Sequence, residues 1–411
     1  MRPPASLLLA LSSVLAAGAA TRPHYGGTLR VQLVSMFATP EAVPLVTETL
    51  VRLDEHGDLV PLLARGWQSD AEKKRWRFII RQKIVTPAAV AAALGPVLRK
   101  TSGDVTVTST AQTVVIQSER PMPDLLERLS RPEAGIPGTG PFRLAKWEAG
   151  HRAILDSNEE TPGGRPFVDT VEFIAGPTRP AAYALSAADI WELPVGISRR
   201  SIPDGMRVWT STPLDLIALN LINPAAGLRD ALSMSIDRSA IVNVLTQRRG
   251  EIAQGLLPQW LTGYEFLFAA TFDAARAREA AATLKNRALV LRVPPSDPLA
   301  RSVADRVMVN ARDAGLSLQI GANPNAELFH IRLDCAGAAR ALREIAGSST
   351  LGDLTSPEAL YRAERGLLDA GRLIPLVHVP DVFGIGPRVR SSTGLPTCDL
   401  LSAIPNLWLT P

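Results

Sequence analysis

Apolar and polar side chains alternate with a period of two along several segments in the first half of the chain. Residues 28–34 and 75–81 show this alternation, and two β-branched runs, 105–108 and 113–117, flank a polar turn. Because successive side chains of a strand point to opposite faces, the pattern predicts strands, with the last two paired as a hairpin. Asp124 precedes a short apolar helical pattern, and we expect its side chain to cap that helix.

The second half of the chain combines apolar strands with helical periodicity. A predicted strand at 288–293 is followed by Asp297 as a helix N-cap, by Pro298 at the first helical position and by Gly315 as a stop, before a second strand at 316–320. A strand–helix–strand unit of this kind places its two strands parallel in one sheet. Hairpins in the first half and a parallel unit in the second predict an α/β chain of two lobes with mixed sheets.

Length and composition narrow the class of protein. A chain of 411 residues exceeds what one hydrophobic core usually supports, which also favours two domains. Apolar residues make up 46% and charged residues 20%, as in a folded protein. The net charge of +4 comes without a basic run, so we expect no nucleic-acid partner. The cysteines, Cys335 and Cys398, are too few for a disulfide scaffold, and the sequence leaves open whether they pair.

The N-terminus has the pattern of a secretory signal peptide. Arg2 is followed by apolar residues at 5–17, and small residues at 17–20 offer cleavage sites of the A-x-A type. The apolar stretch is shorter than the ~20 residues that span a bilayer, which favours cleavage over a membrane anchor. We therefore predict a signal peptide at 1–20 and a mature protein in the periplasm or an equivalent extracytoplasmic space.

The sequence contains no local motif of catalysis or metal binding. G-x-S-x-G, H-E-x-x-H, C-x-x-C and P-loop patterns are absent. The five histidines are widely separated, and none has a second His or Cys at ligand spacing. We therefore predict no catalytic residue, no metal site and no cofactor, while distant carboxylates leave an acid–base pair open.

Short motifs occur in a fixed order along nearly the whole chain after residue 25. They are the opening strand 26–30, the run Pro61-Leu62-Leu63-Ala64-Arg65-Gly66-Trp67, the turn Gly138-Thr139-Gly140-Pro141-Phe142, and Arg229-Asp230-Ala231-Leu232 with Ser235-Ile236-Asp237-Arg238. Each motif alone is weak. Together, in this order, they resemble the extracytoplasmic solute-binding proteins of peptide- and nickel-type ABC importers (solute-binding protein family 5), of which this chain would be a shortened member.

The resemblance implies a type II periplasmic-binding-protein fold, a "Venus flytrap" of two lobes with a ligand cleft between them. On this basis residues 21–215 and 376–411 would form lobe I, and residues 216–375 would form lobe II. The resemblance also implies a small-molecule or peptide ligand and ABC transporter permease subunits as partners, and we expect a monomer.

Two loops are shorter here than in typical members of that family. The loop after the first-lobe strand is reduced to residues 82–87. The second-lobe segment, in which peptide binders capture the ligand's α-amino group with an acidic residue, is reduced to residues 326–335. Asp334 would stand in for that acidic group, and an ordinary surface position is the alternative.

Five residues are candidates for the ligand site. Trp191 precedes the expected crossing to lobe II, where its indole would stack on a ligand, with core packing as the alternative. Asn220 ends the expected crossing strand, where its amide would reach the cleft, with a turn or cap role as the alternative. His378 lies near the returning crossing, where it would line the cleft. Arg332 would bind a carboxylate bidentately. Asp334 completes the predicted set.

We therefore expect a non-enzymatic binding protein that delivers a small solute, a short peptide among the candidates, to an ABC importer by hinge closure. Because two binding loops are trimmed, a second hypothesis is a degenerate member that acts as a sensory or interaction subunit. The third is a secreted hydrolase, which requires two carboxylates that converge in one pocket.

Overall fold

The computed structural model describes residues 22–54, 58–176, 188–333, 335, 337–347, 351–352 and 354–410. The chain divides into two compact units: unit 1 is Met1–Glu192, Pro203–Val208 and Gly384–Pro411, and unit 2 is Leu193–Ile202 and Trp209–Phe383. The lobe boundaries expected from the resemblance, 215/216 and 375/376, lie close in sequence to two of these division points. The predicted signal peptide, 1–20, lies outside the described residues.

Unit 1 is built largely from strands. Up to residue 192 its strands are β1 (Thr28–Leu33), β2 (Thr47–Glu48), β3 (Val51–Leu53), β4 (Leu59–Pro61), β5 (Ala64–Ser69), β6 (Arg75–Ile80), β7 (Thr106–Ser109), β8 (Thr113–Gln117), β9 (Ile136–Pro137), β10 (Phe142–Glu148), β11 (Arg152–Ser157), β12 (Thr170–Ala175) and β13 (Ile190–Glu192). Its helices are α1 (Pro87–Ser102) and α2 (Leu125–Leu129). In the first sheet of this unit, β1 pairs in parallel with β12 and with β13. In the same sheet, β11 pairs antiparallel with β10 and with β12.

A second sheet of unit 1, in the order β5-β6-β8-β7, packs on α1. The alternation predicted for β6 is confirmed, because Trp76, Phe78 and Ile80 are buried while their neighbours in the strand are exposed. The hairpin of β7 and β8 is also confirmed. The predicted cap at Asp124 is wrong: Asp124 precedes α2, but its side chain makes no capping hydrogen bond. Its φ of −91° and ψ of 6° differ from the extended backbone that aims an N-cap side chain at the helix.

Unit 2 contains a central sheet with helices on both faces. Its strands are β15 (Asp215–Leu221), β16 (Glu251–Ile252), β17 (Ala288–Arg292), β18 (Ser317–Ile320), β19 (Ala326–Arg332) and β20 (Leu373–Val379). Strands β14 (Arg207–Thr210) and β21 (Val382–Ile385) each cross a division point between the units, and β22 (Val389–Ser391) and β23 (Leu407–Leu409) follow in unit 1. The helices are α3 (Leu228–Ser235), α4 (Arg238–Ala240), α5 (Gln259–Thr262), α6 (Ala274–Thr283), α7 (Pro298–Asp313), α8 (Ala338–Ala346) and α9 (Pro357–Asp369).

The central sheet has six strands in the order β16-β20-β15-β19-β17-β18. One face, which includes Ile217 and Leu219 of β15, packs on α3, α6 and α7, and the other, which includes Leu216 and Ala218, packs on α8 and α9. The predicted strand–helix–strand unit is confirmed, because β17 and β18 are parallel and flank α7 in sequence. Asp297 caps α7 by accepting a hydrogen bond of 2.8 Å from the amide of Ala300. These observations confirm the predicted α/β class with mixed sheets.

Candidate functional site

A cluster of charged side chains lies at one end of the central sheet of unit 2. Asp215 opens β15 and lies opposite Arg332 of β19, and Ile217 lies opposite His330. Residues directly opposite each other share a face, so Asp215, His330 and Arg332 all lie on the α7 face. Asp297, at the N-terminus of α7, reaches the same point. We call these four residues, with Asp381, the Asp215 cluster.

His330 is held between two carboxylates. Its Nδ1 lies 2.6 Å from Asp297 Oδ2, and its Nε2 lies 3.6 Å from Asp215 Oδ2. Burial alone would lower the pKa of His330, but the hydrogen bonds and charges of Asp215 and Asp297 raise it to about 9. Burial would likewise raise the pKa of Asp297, and the contact with His330 reverses this, so that the pKa is lowered. The imidazole is therefore a cation at neutral pH.

Arg332 extends the cluster toward solvent. Its Nη2 lies 2.5 Å from Asp381 Oδ2, and its Nη1 lies 3.9 Å from Asp215 Oδ1. The Arg332 side chain is 48% exposed, whereas Asp215 and Asp381 are 15% and 19% exposed. Within the described part of the chain, Asp215 Oδ1 is buried and accepts no hydrogen bond. The cluster thus presents a buried acceptor oxygen next to an accessible guanidinium, which together suit a solute with a donor group and an anionic group.

Of the five predicted site residues, the structure places Arg332 in this cluster and the others elsewhere or outside the described residues. Asn220 lies toward the opposite end of β15, five residues from Asp215 or roughly 17 Å along a strand. His378 lies opposite Leu216, on the α8 and α9 face, and is fully buried. Asp334 lies outside the described residues. The structure therefore does not bring Arg332, Asn220 and His378 together within unit 2.

Trp191 belongs to unit 1. It lies in β13 opposite Gln32 of β1, and the residue is 8% exposed. Its Nε1 is buried and has no hydrogen-bond acceptor among the residues that the structure describes. A buried indole N–H without a partner is unusual, because such groups normally find an acceptor. Its role in binding a ligand remains a prediction.

His378 takes part in a buried polar network around residues 254–257. Its Nε2 lies 3.2 Å from the carbonyl oxygen of Leu256, and its Nδ1 lies 3.5 Å from Glu265 Oε1. Burial lowers the pKa of His378 to about 4, so its ring is neutral at pH 7. Burial also raises the pKa of Glu265 to about 7, and the contact between the two side chains is therefore not a strong ion pair.

Glu364 of α9 completes this network. One carboxylate oxygen accepts from the amides of Leu256 and Leu257 at 2.6 and 3.1 Å, and the other accepts from the Tyr264 hydroxyl at 2.9 Å. A Cβ at Gly255 would lie 2.6 Å from Glu364 Oε1, so only glycine permits this close approach. Burial raises the pKa of Glu364 to about 6. The network fixes a backbone segment rather than exposing groups to a ligand.

A cavity of about 910 Å³ lies in unit 1. Its lining is mainly apolar and includes Val46, Ala93 and Pro137, with Glu133 and Arg143 as its charged residues. None of the predicted site residues lines it. Because this cavity offers few polar groups to orient a solute, we place the candidate site at the Asp215 cluster instead.

Sequence reasoning did not select Asp215, His330 or Asp381, and it treated Asp297 only as a helix cap. A usable signal was present: Asp215 is the one charged residue of β15, at the start of that strand, and His330 and Arg332 are two residues apart in β19. Among the described residues, no group of three His, Cys, Asp or Glu side chains is arranged to hold a metal ion. No helix in the same described ranges has the length and hydropathy needed to cross a membrane.

The model of the family of bacterial extracellular solute-binding proteins, family 5 (middle region) matches residues 58–334. This match covers more than half of the chain. The chain belongs to solute-binding protein family 5. The oligopeptide-binding protein AppA of Bacillus subtilis (strain 168) is 29% identical over 125 residues, which are 28% of this chain and 23% of AppA. The matched part thus spans about a quarter of that relative.

Two solved structures show the same fold. One is the ABC transporter-associated periplasmic binding protein DppA from Helicobacter pylori in complex with the peptide STSA, with a TM-score of 0.76, 14% identity, and coverage of 96% of this chain and 99% of DppA. The other is NikA from Brucella suis in complex with Fe(III)-EDTA, with a TM-score of 0.74, 18% identity, and coverage of 93% of this chain and 100% of NikA. The predicted family and fold are confirmed.

Proposed function

We propose that this family 5 protein captures a small polar solute, with a short peptide among the candidates, and delivers it to the permease subunits of an ABC importer. Membership of the family supports this proposal. The similarity to an oligopeptide-binding protein and to a fold that holds a peptide in DppA favours a ligand of this size and polarity.

The Asp215 cluster is the observation that carries the proposal. Asp215 Oδ1 is buried without a hydrogen-bond donor in the described residues, and a ligand ammonium, amide or hydroxyl group would satisfy it. Arg332 is half-exposed and would pair with a ligand carboxylate in exchange for part of its contact with Asp381. A zwitterionic solute carries both groups.

Transport would proceed by hinge closure of the two lobes, with the ligand favouring the closed state by its higher affinity for that state. The protein would act as a monomer in the periplasm or an equivalent compartment, after export by the signal peptide predicted at 1–20. It would perform no bond-making chemistry itself.

A hydrolase is the weaker hypothesis, although carboxylates do converge in unit 2. Glu265 and Glu364, whose pKa values burial raises to about 7 and about 6, are 5% and 0% exposed, and backbone amides already occupy them. The contact between Asp297 and the cationic His330 lowers the pKa of Asp297, which disfavours that carboxyl as a general acid. Glu265 and Glu364 therefore lack access, and Asp297 lacks the protonation state of a general acid.

A thermal unfolding screen tests the proposed function. The mature protein is incubated with dipeptides, tripeptides, amino acids and small organic acids, one at a time. A true ligand at ~100 times its dissociation constant should stabilise the folded state by roughly 2.7 kcal/mol. If no peptide or small solute shifts the midpoint, solute delivery is contradicted and the sensory or interaction role gains support.

A further inference from the structure

A polar pocket lies in unit 2, among residues that take no part in the Asp215 cluster. Its volume is about 290 Å³, near the lower end of the range for small-molecule sites. It is lined by basic side chains, with polar and apolar residues between them: Arg229, Arg238, Arg365, Ser233, Gln254 and Asp369 are among its lining residues.

Arg238 is the buried cation of this pocket. The residue is 3% exposed, and burial, followed by the nearby charge of Arg229, lowers its pKa to about 10, so it is still charged at neutral pH. Its guanidinium donates to the carbonyl oxygen of Pro375 at 2.9 Å, and to the carbonyl and hydroxyl oxygens of Ser233, each at 3.1 Å. All three acceptors are neutral, and no carboxylate of the described residues pairs with Arg238.

A guanidinium has five N–H groups, and these three bonds leave one N–H on each terminal nitrogen of Arg238. Buried charges are normally paired, because an unpaired buried charge is costly. Arg238 therefore combines two unused donors with an unneutralised charge on the wall of a cavity.

The neighbouring arginines add to this positive charge. Arg229 and Ser233 are one turn apart on α3, so they share a helix face, and Arg229 Nε is buried without an acceptor in the described part of the protein. Arg365 of α9, which also lines the pocket, contacts Asp369 at 3.2 Å. Arg229 also pairs with Asp230 at 2.8 Å, so Arg238 supplies the positive charge that no carboxylate of the described residues balances.

We propose that this pocket binds a small oxyanion of the phosphate type, either free or as the terminal group of a phosphomonoester. The planar fork of Arg238 would engage the oxyanion through its two unused N–H groups, and Arg229 and Arg365 would contact it in exchange for part of their ion pairs with Asp230 and Asp369. The site is independent of solute capture at the Asp215 cluster, and each can fail without the other.

Titration calorimetry and thermal unfolding with inorganic phosphate test this site, with sodium chloride at equal ionic strength as the reference. Phosphate is expected to raise the unfolding midpoint above that in chloride. Removal of one rim charge in Arg229→Gln or Arg365→Gln is expected to weaken phosphate binding about tenfold, the effect of one charge-assisted hydrogen bond. The Arg229→Gln and Arg365→Gln variants keep the test valid even if Arg238→Gln fails to fold.

Arg301→Gln is the matched control, since Arg301 is an exposed arginine of unit 2 in an ion pair with Asp305. It should bind phosphate as the unaltered protein does. Equal midpoints in phosphate and chloride, or equal weakening in Arg301→Gln and Arg229→Gln, would overturn the proposal. Glycerol 3-phosphate serves as the second probe: tighter binding than inorganic phosphate identifies an ester as the ligand source, and equal binding identifies the free ion.

Discussion

Two histidines of the same sheet, His330 on β19 and His378 on β20, have opposite electrostatic properties. The pKa of His330 rises to about 9 because Asp215 and Asp297 flank it. The pKa of His378 falls to about 4 because it is fully buried and its ring nitrogen contacts a neutral carbonyl oxygen. Burial alone disfavours the charged ring, and a pair of carboxylates is sufficient to reverse that preference.

The difference extends to the two faces of the sheet. On the α7 face, charged groups remain partly accessible and Asp215 Oδ1 has no donor in the described residues. On the α8 and α9 face, the polar groups of Glu265 and Glu364 are used to hold the backbone of residues 254–257. The first face is suited to binding a ligand, and the second stabilises the fold.

The largest change in the free energy of unfolding is expected from a substitution on the α8 and α9 face of the sheet. Glu364→Ala removes the acceptor of two backbone amides and of the Tyr264 hydroxyl, and these donors remain buried. The expected loss in the free energy of unfolding is about 3–5 kcal/mol, measured by urea denaturation. Glu358→Ala, at an exposed position near the start of the same helix, is the control and should cost less than about 1 kcal/mol. Equal losses of unfolding free energy in Glu364→Ala and Glu358→Ala would show that the Glu364 network contributes little to stability.

The next largest effect is the contribution of His330 to the free energy of unfolding, which should depend on pH. Because its folded pKa of about 9 exceeds the unfolded value of 6.5, its stabilisation is complete below about pH 6.5 and is lost as the pH rises through 9. The loss should be about 2–3 kcal/mol. His330→Gln should lack this alkaline decline, while a change at the exposed His151 should retain it. Parallel stability curves for His330→Gln and the unaltered protein would contradict the ion-pair account.

The third effect concerns His378, whose contribution to the free energy of unfolding should be lost toward low pH, whereas that of His330 is lost toward high pH. The folded pKa of His378, about 4, lies below the unfolded value of 6.5, so its contribution to stability falls as the pH drops from 6.5 toward 4. Glu265 and Glu364 change in the opposite direction over part of this range, because their folded pKa values are raised. The effect is therefore taken from the difference between the unaltered protein and His378→Gln. That difference should shrink by about 2 kcal/mol between pH 7 and pH 5. A constant difference would mean that His378 is protonated in the folded state.

The sequence predicts most reliably those strands and helices whose limits are set by residues close to them along the chain. The unit of β17, α7 and β18 carries its own cap at Asp297 and its own stop at Gly315, and both are found. Helix α1 was not predicted, since its alanine-rich sequence gives little contrast between faces and contains Pro96. Local periodicity and capping residues therefore predict the strands and the capped helices, but they do not predict a helix such as α1, whose faces differ little in polarity.

The candidate site depends on contacts between distant segments, and the sequence could supply only part of it. Arg332 was selected, whereas its neighbour His330 gained a role only because strand pairing and α7 bring Asp215 and Asp297 to it. His378 lies near the predicted crossing, but the register places it on the buried face. A shift of one residue in a strand exchanges its faces, and no local pattern fixes that register.

Calorimetric titration of the tightest solute found in the screen, into the unaltered protein and Arg332→Gln, tests the central claim most directly. Loss of the accessible guanidinium should weaken binding about tenfold, while folding stability changes by less than about 1 kcal/mol because its ion pair is half-exposed. Arg301→Gln should bind the solute normally. Equal affinity in Arg332→Gln and the unaltered protein would contradict solute capture at the Asp215 cluster.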